Sequence, residues 1–101
     1  MPQLIRVTGK NDVPPGQVKS FYREGKSIAI ANVGGKFYAF EDSCPHMSAR
    51  LSNGNLDGDI LTCPEHSSKF DVTTGKALAV SDSPLTMYEV QVQGDDVCVK
   101  V

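Results

Sequence analysis

Four side chains in this sequence are suited to holding a metal: Cys44 and His46 in "SCPH", and Cys63 and His66 in "TCPEH". Each pair places a thiol and an imidazole within one short turn, and proline follows each cysteine. The chain has two histidines, and both stand beside a cysteine. Random placement seldom does that twice, so the matched pairs point to a metal more strongly than either pair alone.

Three kinds of chemistry suit this donor set. The first is none: two structural turns with buried thiols and satisfied histidines. The second is structural zinc, since two Cys and two His complete a tetrahedral site. Zinc sites of that composition usually group both cysteines first and both histidines later, whereas here each loop supplies one of each. The third is a two-iron, two-sulfide cluster with two thiolates on one iron and two imidazoles on the other. Replacing two thiolates by neutral imidazoles brings the oxidised cluster from roughly −2 to about zero, so an added electron meets less negative charge and the reduction potential rises. The histidine iron would then take the electron, with surface imidazoles as a short exit path.

Such loops need a rigid support, and the rest of the chain reads as mostly antiparallel β, with no helical period of useful length. Leu4 to Thr8 is a first strand, and "VPPG" (Val13 to Gly16) a stiff turn. Gln17 to Arg23 and Ser27 to Val33 flank "REGK", a hairpin turn. Gly34-Gly35 joins Ser27–Val33 to Lys36–Glu41 in a second hairpin, a better use of "VGGK" than a phosphate loop. Tyr88, Val90 and Val92, then Val97, Val99 and Val101, alternate with other residues around "GDD", predicting a hairpin with one apolar face. The middle, about residues 42–85, differs: it holds both Cys/His pairs, is rich in Gly, Ser and Asn, and shows only short strand-like pieces such as Asp59 to Thr62 and Lys69 to Val72. The expected fold is all-β: a single domain, residues 1–101, built as an antiparallel β-sandwich with an inserted loop-rich, cluster-binding subdomain.

Composition removes other classes. One hundred and one residues make one modest domain, to which a bound metal group would add stability. A formal charge of −2 gives no basic patch for nucleic acid. No apolar run approaches the roughly 20 residues of a membrane span, and the N-terminus lacks the apolar core of a secretory signal. Three cysteines argue against a disulfide framework, so the cytoplasm is the expected location. Cys98 reads as structural, Asp57, Asp59 and Asp71 as turn and surface residues, and Met47 and Leu51 as packing residues, with an apolar contact surface as the alternative.

"CPH" followed by "CPEH", then "FDVTTGKAL" and "SP", resembles the Rieske family, specifically its small soluble ferredoxins. The likeness runs from "DVPPG" through "IAIANVGGKFYAFEDSCPH" to the "YEVQV" and "VCVKV" hairpin. It implies the Rieske fold and one [2Fe-2S] cluster, with Cys44 and Cys63 on one iron and His46 and His66 on the other. Ser83-Pro84 resembles the proline-bearing loop that covers the cluster. The respiratory branch joins its loops by a disulfide, but Ala49 and Glu65 stand at those positions. Its tyrosine donor is replaced by Phe70, while its serine position is kept as Ser68. Fewer donors to sulfur stabilise the reduced cluster less, which places the expected potential in the lower part of the family range of roughly −150 to +300 mV. Glu65 is either merely solvated or a negative charge that selects a basic partner patch.

The resemblance implies a one-electron carrier, not an enzyme by itself, similar to the ferredoxin component of a bacterial aromatic-ring-hydroxylating dioxygenase system. Its partners would be a flavin-dependent reductase and a terminal oxygenase, each met transiently through a small surface, with the carrier a monomer. Alternatives are the small subunit of a nitrite reductase, the ferredoxin of a diiron monooxygenase and, from another class, a zinc-stabilised interaction module.

Overall fold

The computed structural model describes residues 3–42, 50–64, 68–79 and 84–101. Six strands form one antiparallel sheet: β1 (Leu4–Gly9), β2 (Val18–Arg23), β3 (Lys26–Val33), β4 (Lys36–Glu41), β9 (Met87–Gln93) and β10 (Asp96–Lys100), in the order β1-β10-β9-β4-β3-β2. The other four, β5 (Asn55–Asp57), β6 (Ile60–Thr62), β7 (Lys69–Asp71) and β8 (Ala77–Ala79), pair in sequence order as a second antiparallel sheet. All four fall between β4 and β9, so the second sheet is inserted into the first. The all-β antiparallel expectation agrees with this architecture. Among the described residues no helix is long and apolar enough to cross a membrane.

The hairpins form where the turn residues direct them. Arg23 pairs with Lys26 and Val33 with Lys36, leaving two-residue turns at Glu24-Gly25 and Gly34-Gly35. All four turn residues have positive φ, which matches the strand twist and favours glycine. Asn32 ties the "VPPG" turn to this hairpin: its Nδ2 donates to Val13 O at 2.7 Å, and its Oδ1 accepts from Gly35 N at 2.8 Å.

Strand β3 explains how the two sheets share a chain. Ile28 and Ile30 point to one face, where they pack with Ile5, Val7, Val13, Ala39, Val97 and Val99 inside the curve of the large sheet. Ala29 and Ala31 point to the other face and join Phe40, Leu51, Leu61, Cys63, Phe70, Val72 and Leu85 between the sheets. Small alanines on that face let the inserted sheet approach closely, and burial of both faces makes β3 the structural spine. Leu51 is fully buried there, so it packs; Met47 lies outside the described residues.

The C-terminal hairpin departs from its expected single apolar face. Val92 is 46% exposed, while Cys98, on the opposite face from Val97 and Val99, is buried. Val92 stands one position from the end of β9, near the Gly94-Asp95 turn, and stays half in water although its cross-strand partner Val97 is buried. Cys98 lies opposite both Arg6 and Gln91 on the neighbouring strands, whose long side chains can cover a small thiol.

Asp12 secures the turn after β1. Its Oδ2 accepts from Thr8 Oγ1 at 2.7 Å and from Gly9 N at 3.0 Å. These two donors, the hydroxyl first, hold its carboxyl below the ordinary value. A depressed carboxylate stabilises the fold fully above its ordinary pKa, about 3.9, and less as pH falls through the lowered native value. Denaturant midpoints measured against pH should therefore show wild type above Thr8→Val at neutral pH, with the gap closing only below about pH 4.

Candidate metal centre

Of the four side chains expected to bind metal, Cys63 lies among the described residues; Cys44, His46 and His66 lie outside them, as do Ala49, Glu65 and Ser83. Cys63 directly follows β6. Its backbone N donates to Ser68 O at 2.7 Å, which returns the chain to β7 beside the Thr62–Lys69 pair. The Cys63 side chain is only 2% exposed and belongs to the core between the sheets. Pro64, next along, is exposed.

Backbone and side-chain hydrogen bonds fix several described residues that flank the segments 43–49 and 80–83. Strand β4 ends at Glu41, next to Asp42, and Glu41 N donates to Thr86 O at 2.8 Å. Leu85 N donates to Gly75 O at 2.8 Å, fixing the chain just after Pro84 against the turn that follows β7. Gly75 has φ +83°, and a Cβ there would stand 2.6 Å from Met87 Cγ, so glycine suits both the conformation and the close contact. On the other side, Asp42 accepts from Ser52 N at 2.8 Å and Ser52 Oγ at 2.7 Å. Gly54 lies against Thr62, the residue before Cys63. Sequence reading did not single out Asp42, Ser52 or Gly54. The one local signal, an aspartate two residues before Cys44, is indistinguishable there from a turn residue.

Phe70 is fully buried and packs with Cys63; its ring has no hydroxyl to donate. Ser68 Oγ is also fully buried, and among the described residues it has no hydrogen-bond partner. A buried hydroxyl without a partner costs about 1–3 kcal/mol, so such a group calls for an acceptor. Bridging sulfides are acceptors, and a buried thiol nearby in the chain is the ligand such a cluster needs. Both described groups therefore fit a sulfide-bearing cluster.

Comparison with known proteins gives the same direction. Residues 3–99 match the family described as "Rieske [2Fe-2S] domain". The chain is 39% identical over 97 residues to the ferredoxin component of biphenyl 2,3-dioxygenase from Rhodococcus jostii (strain RHA1), covering 95% of this chain and 91% of that protein. It is similar in structure to the Sphingomonas yanoikuyae B1 ferredoxin, with TM-score 0.93, 31% identity and coverage of 98% and 99%. A complex of reduced oxygenase and oxidized ferredoxin in carbazole 1,9a-dioxygenase also matches, with TM-score 0.90, 38% identity and coverage of 96% and 92%. With Cys63 buried between the sheets, Ser68 Oγ buried without a hydrogen-bond partner among the described residues, and the family match spanning residues 3–99, the chain belongs to the Rieske [2Fe-2S] domain family.

Proposed function

We propose that this chain is a one-electron carrier, a single Rieske domain over residues 1–101 with its cluster-binding part at about 42–85. It takes electrons from a flavin-dependent reductase and passes them to a terminal aromatic-ring-hydroxylating oxygenase. The observation that carries this is the nearly end-to-end likeness to a ferredoxin component of such a system, at 39% identity. Chain and relative match over almost their full lengths, so there is no large catalytic domain in the matched relative that this chain lacks. The carrier acts in the cytoplasm as a monomer.

In this reading Cys44 and Cys63 hold one iron of a [2Fe-2S] cluster, and His46 and His66 the other. When bound, the cluster supplies a reversible one-electron change at the histidine iron. The protein's own groups set how easily that occurs. Cys63 is supplied from a dry core, where electrostatic effects are strong. Ser68 Oγ, buried without a partner among the described residues, would donate to cluster sulfur and stabilise added negative charge, while Phe70 would contribute no such bond. Ser68→Ala should therefore lower the midpoint potential, and Phe70→Tyr raise it, in a redox titration followed by visible absorption. Unchanged potentials in both would remove these roles.

The decisive experiment purifies the chain, reduces it with dithionite and records low-temperature electron paramagnetic resonance. A mixed sulfur–nitrogen signature is expected. A colourless protein containing zinc would establish the interaction module instead. Adding the chain to a reductase and oxygenase of an aromatic-ring system should then support turnover that neither sustains alone.

A further inference from the structure

Asp42 and Ser52 stand ten positions apart, one on either side of the segment that carries Cys44 and His46. Asp42 is only 5% exposed, and both its carboxylate oxygens accept from the one serine: Oδ1 from the backbone N at 2.8 Å, Oδ2 from Oγ at 2.7 Å. Asp42 is anchored in turn, its backbone N donating to Ser27 O, in β3, at 3.0 Å. Ser52 is anchored too. It sits in a short 3-10 turn, Leu51–Asn53, whose Leu51 is fully buried between the sheets. Gly54 ends that turn, donating its N to Leu51 O at 2.9 Å, and abuts the carbonyl of Thr62, one residue before Cys63.

We propose that Asp42 and Ser52 form a clasp that sets the position of Cys44 relative to Cys63, through the 3-10 turn and Gly54, without either residue touching the cluster. A buried carboxylate needs donors, and a serine offering two in one place holds it in a single geometry. The clasp thus ties residues 42 and 52 into one fixed base, and the Gly54–Thr62 contact sets that base against the strand that precedes Cys63. Both are positioning residues: their loss removes no proposed ligand but unties the two ends that flank Cys44.

Because this role rests on the chain holding the cluster proposed above, the test begins with holoprotein. Release is followed as the decay of visible absorption in excess chelator, well below the melting temperature, for wild type, Ser52→Ala, Ser52→Thr and Asp42→Asn. Ser52→Ala should release its cluster about ten times faster, in keeping with the loss of a charge-assisted hydrogen bond. Ser52→Thr, which keeps the hydroxyl, should stay within about twofold of wild type. The paramagnetic signal of Ser52→Ala and Asp42→Asn should keep its g-values, since the ligands are unchanged, but broaden as the geometry spreads. A merely stabilising role would lower the melting temperature and leave line widths and release untouched. Release from Ser52→Ala equal to that from wild type, at equal line width, overturns the clasp. Wild-type protein without iron would instead overturn the cluster reading itself.

Discussion

Cys63→Ser is expected to yield a folded protein that no longer retains iron and inorganic sulfide. Serine is nearly the size of cysteine, but its hydroxyl is not deprotonated at neutral pH and is a harder donor than a thiolate, so it holds cluster iron poorly. Cys63 is part of the core between the sheets, so the substitution also buries a hydroxyl, costing about 1–3 kcal/mol. The large sheet tolerates this because its inner core, built from Ile5, Val7, Ile28, Ile30, Val97 and Val99, is a separate cluster. Iron and acid-labile sulfide per chain should fall from about two of each to near none, while far-ultraviolet circular dichroism keeps its β signature. Cys98→Ser supplies the control. Cys98 is also buried but lies on β10, outside the core that contains Cys63, and its variant should keep the full complement. A Cys63→Ser protein with normal iron content and an unaltered paramagnetic spectrum would refute Cys63 as a ligand.

Gly54→Ala should damage both stability and cluster retention. The backbone at Gly54 is ordinary for any residue, with φ −80° and ψ −172°, so conformational freedom is not what requires glycine. Space is. A Cβ would lie 2.1 Å from the Thr62 carbonyl oxygen and 3.0 Å from that of Leu51. Both are backbone atoms, so no rotamer change relieves the contact; either the 3-10 turn or β6 must move. Forced repacking of this kind costs about 1–3 kcal/mol. The shift falls on the residue before Cys63, so iron content should drop along with the denaturant midpoint. Gly58→Ala separates the two effects. Gly58 sits at the far turn of the β5–β6 hairpin with φ +62° and open space around it. Alanine there costs about 1–2 kcal/mol of left-handed strain, and its cluster should remain. If Gly54→Ala kept full iron at wild-type stability, the close approach would have no role in holding the site.

The turn residues made the large sheet legible. Glu24-Gly25 and Gly34-Gly35 each favour one kind of tight turn, and the runs on either side carry β-formers, so β2, β3 and β4 could be placed within a residue or so at each end. Strands β5 and β8 were not legible. Asn55-Leu56-Asp57 and Ala77-Leu78-Ala79 are each three residues long and built mostly from poor strand formers. They are strands because β6 and β7 offer them partners, not because of any local preference.

The site divides along the same line. By itself the sequence determined the donor types and their spacing, two Cys/His pairs in turns, because the chemistry of a ligand lies in its own side chain and in residues a few positions away. It also determined the hairpins, since backbone sterics act over two to four residues. Tertiary structure alone decided what those pairs stand on. Residues ten positions apart became the partners Asp42 and Ser52, Gly54 was pressed against Thr62, Cys98 was covered and Val92 left in water. The physical reason is range: hydrogen bonds and van der Waals contacts act only over a few ångströms, and which distant residues come that close is settled by how the two sheets pack across Ala29, Ala31 and Phe40.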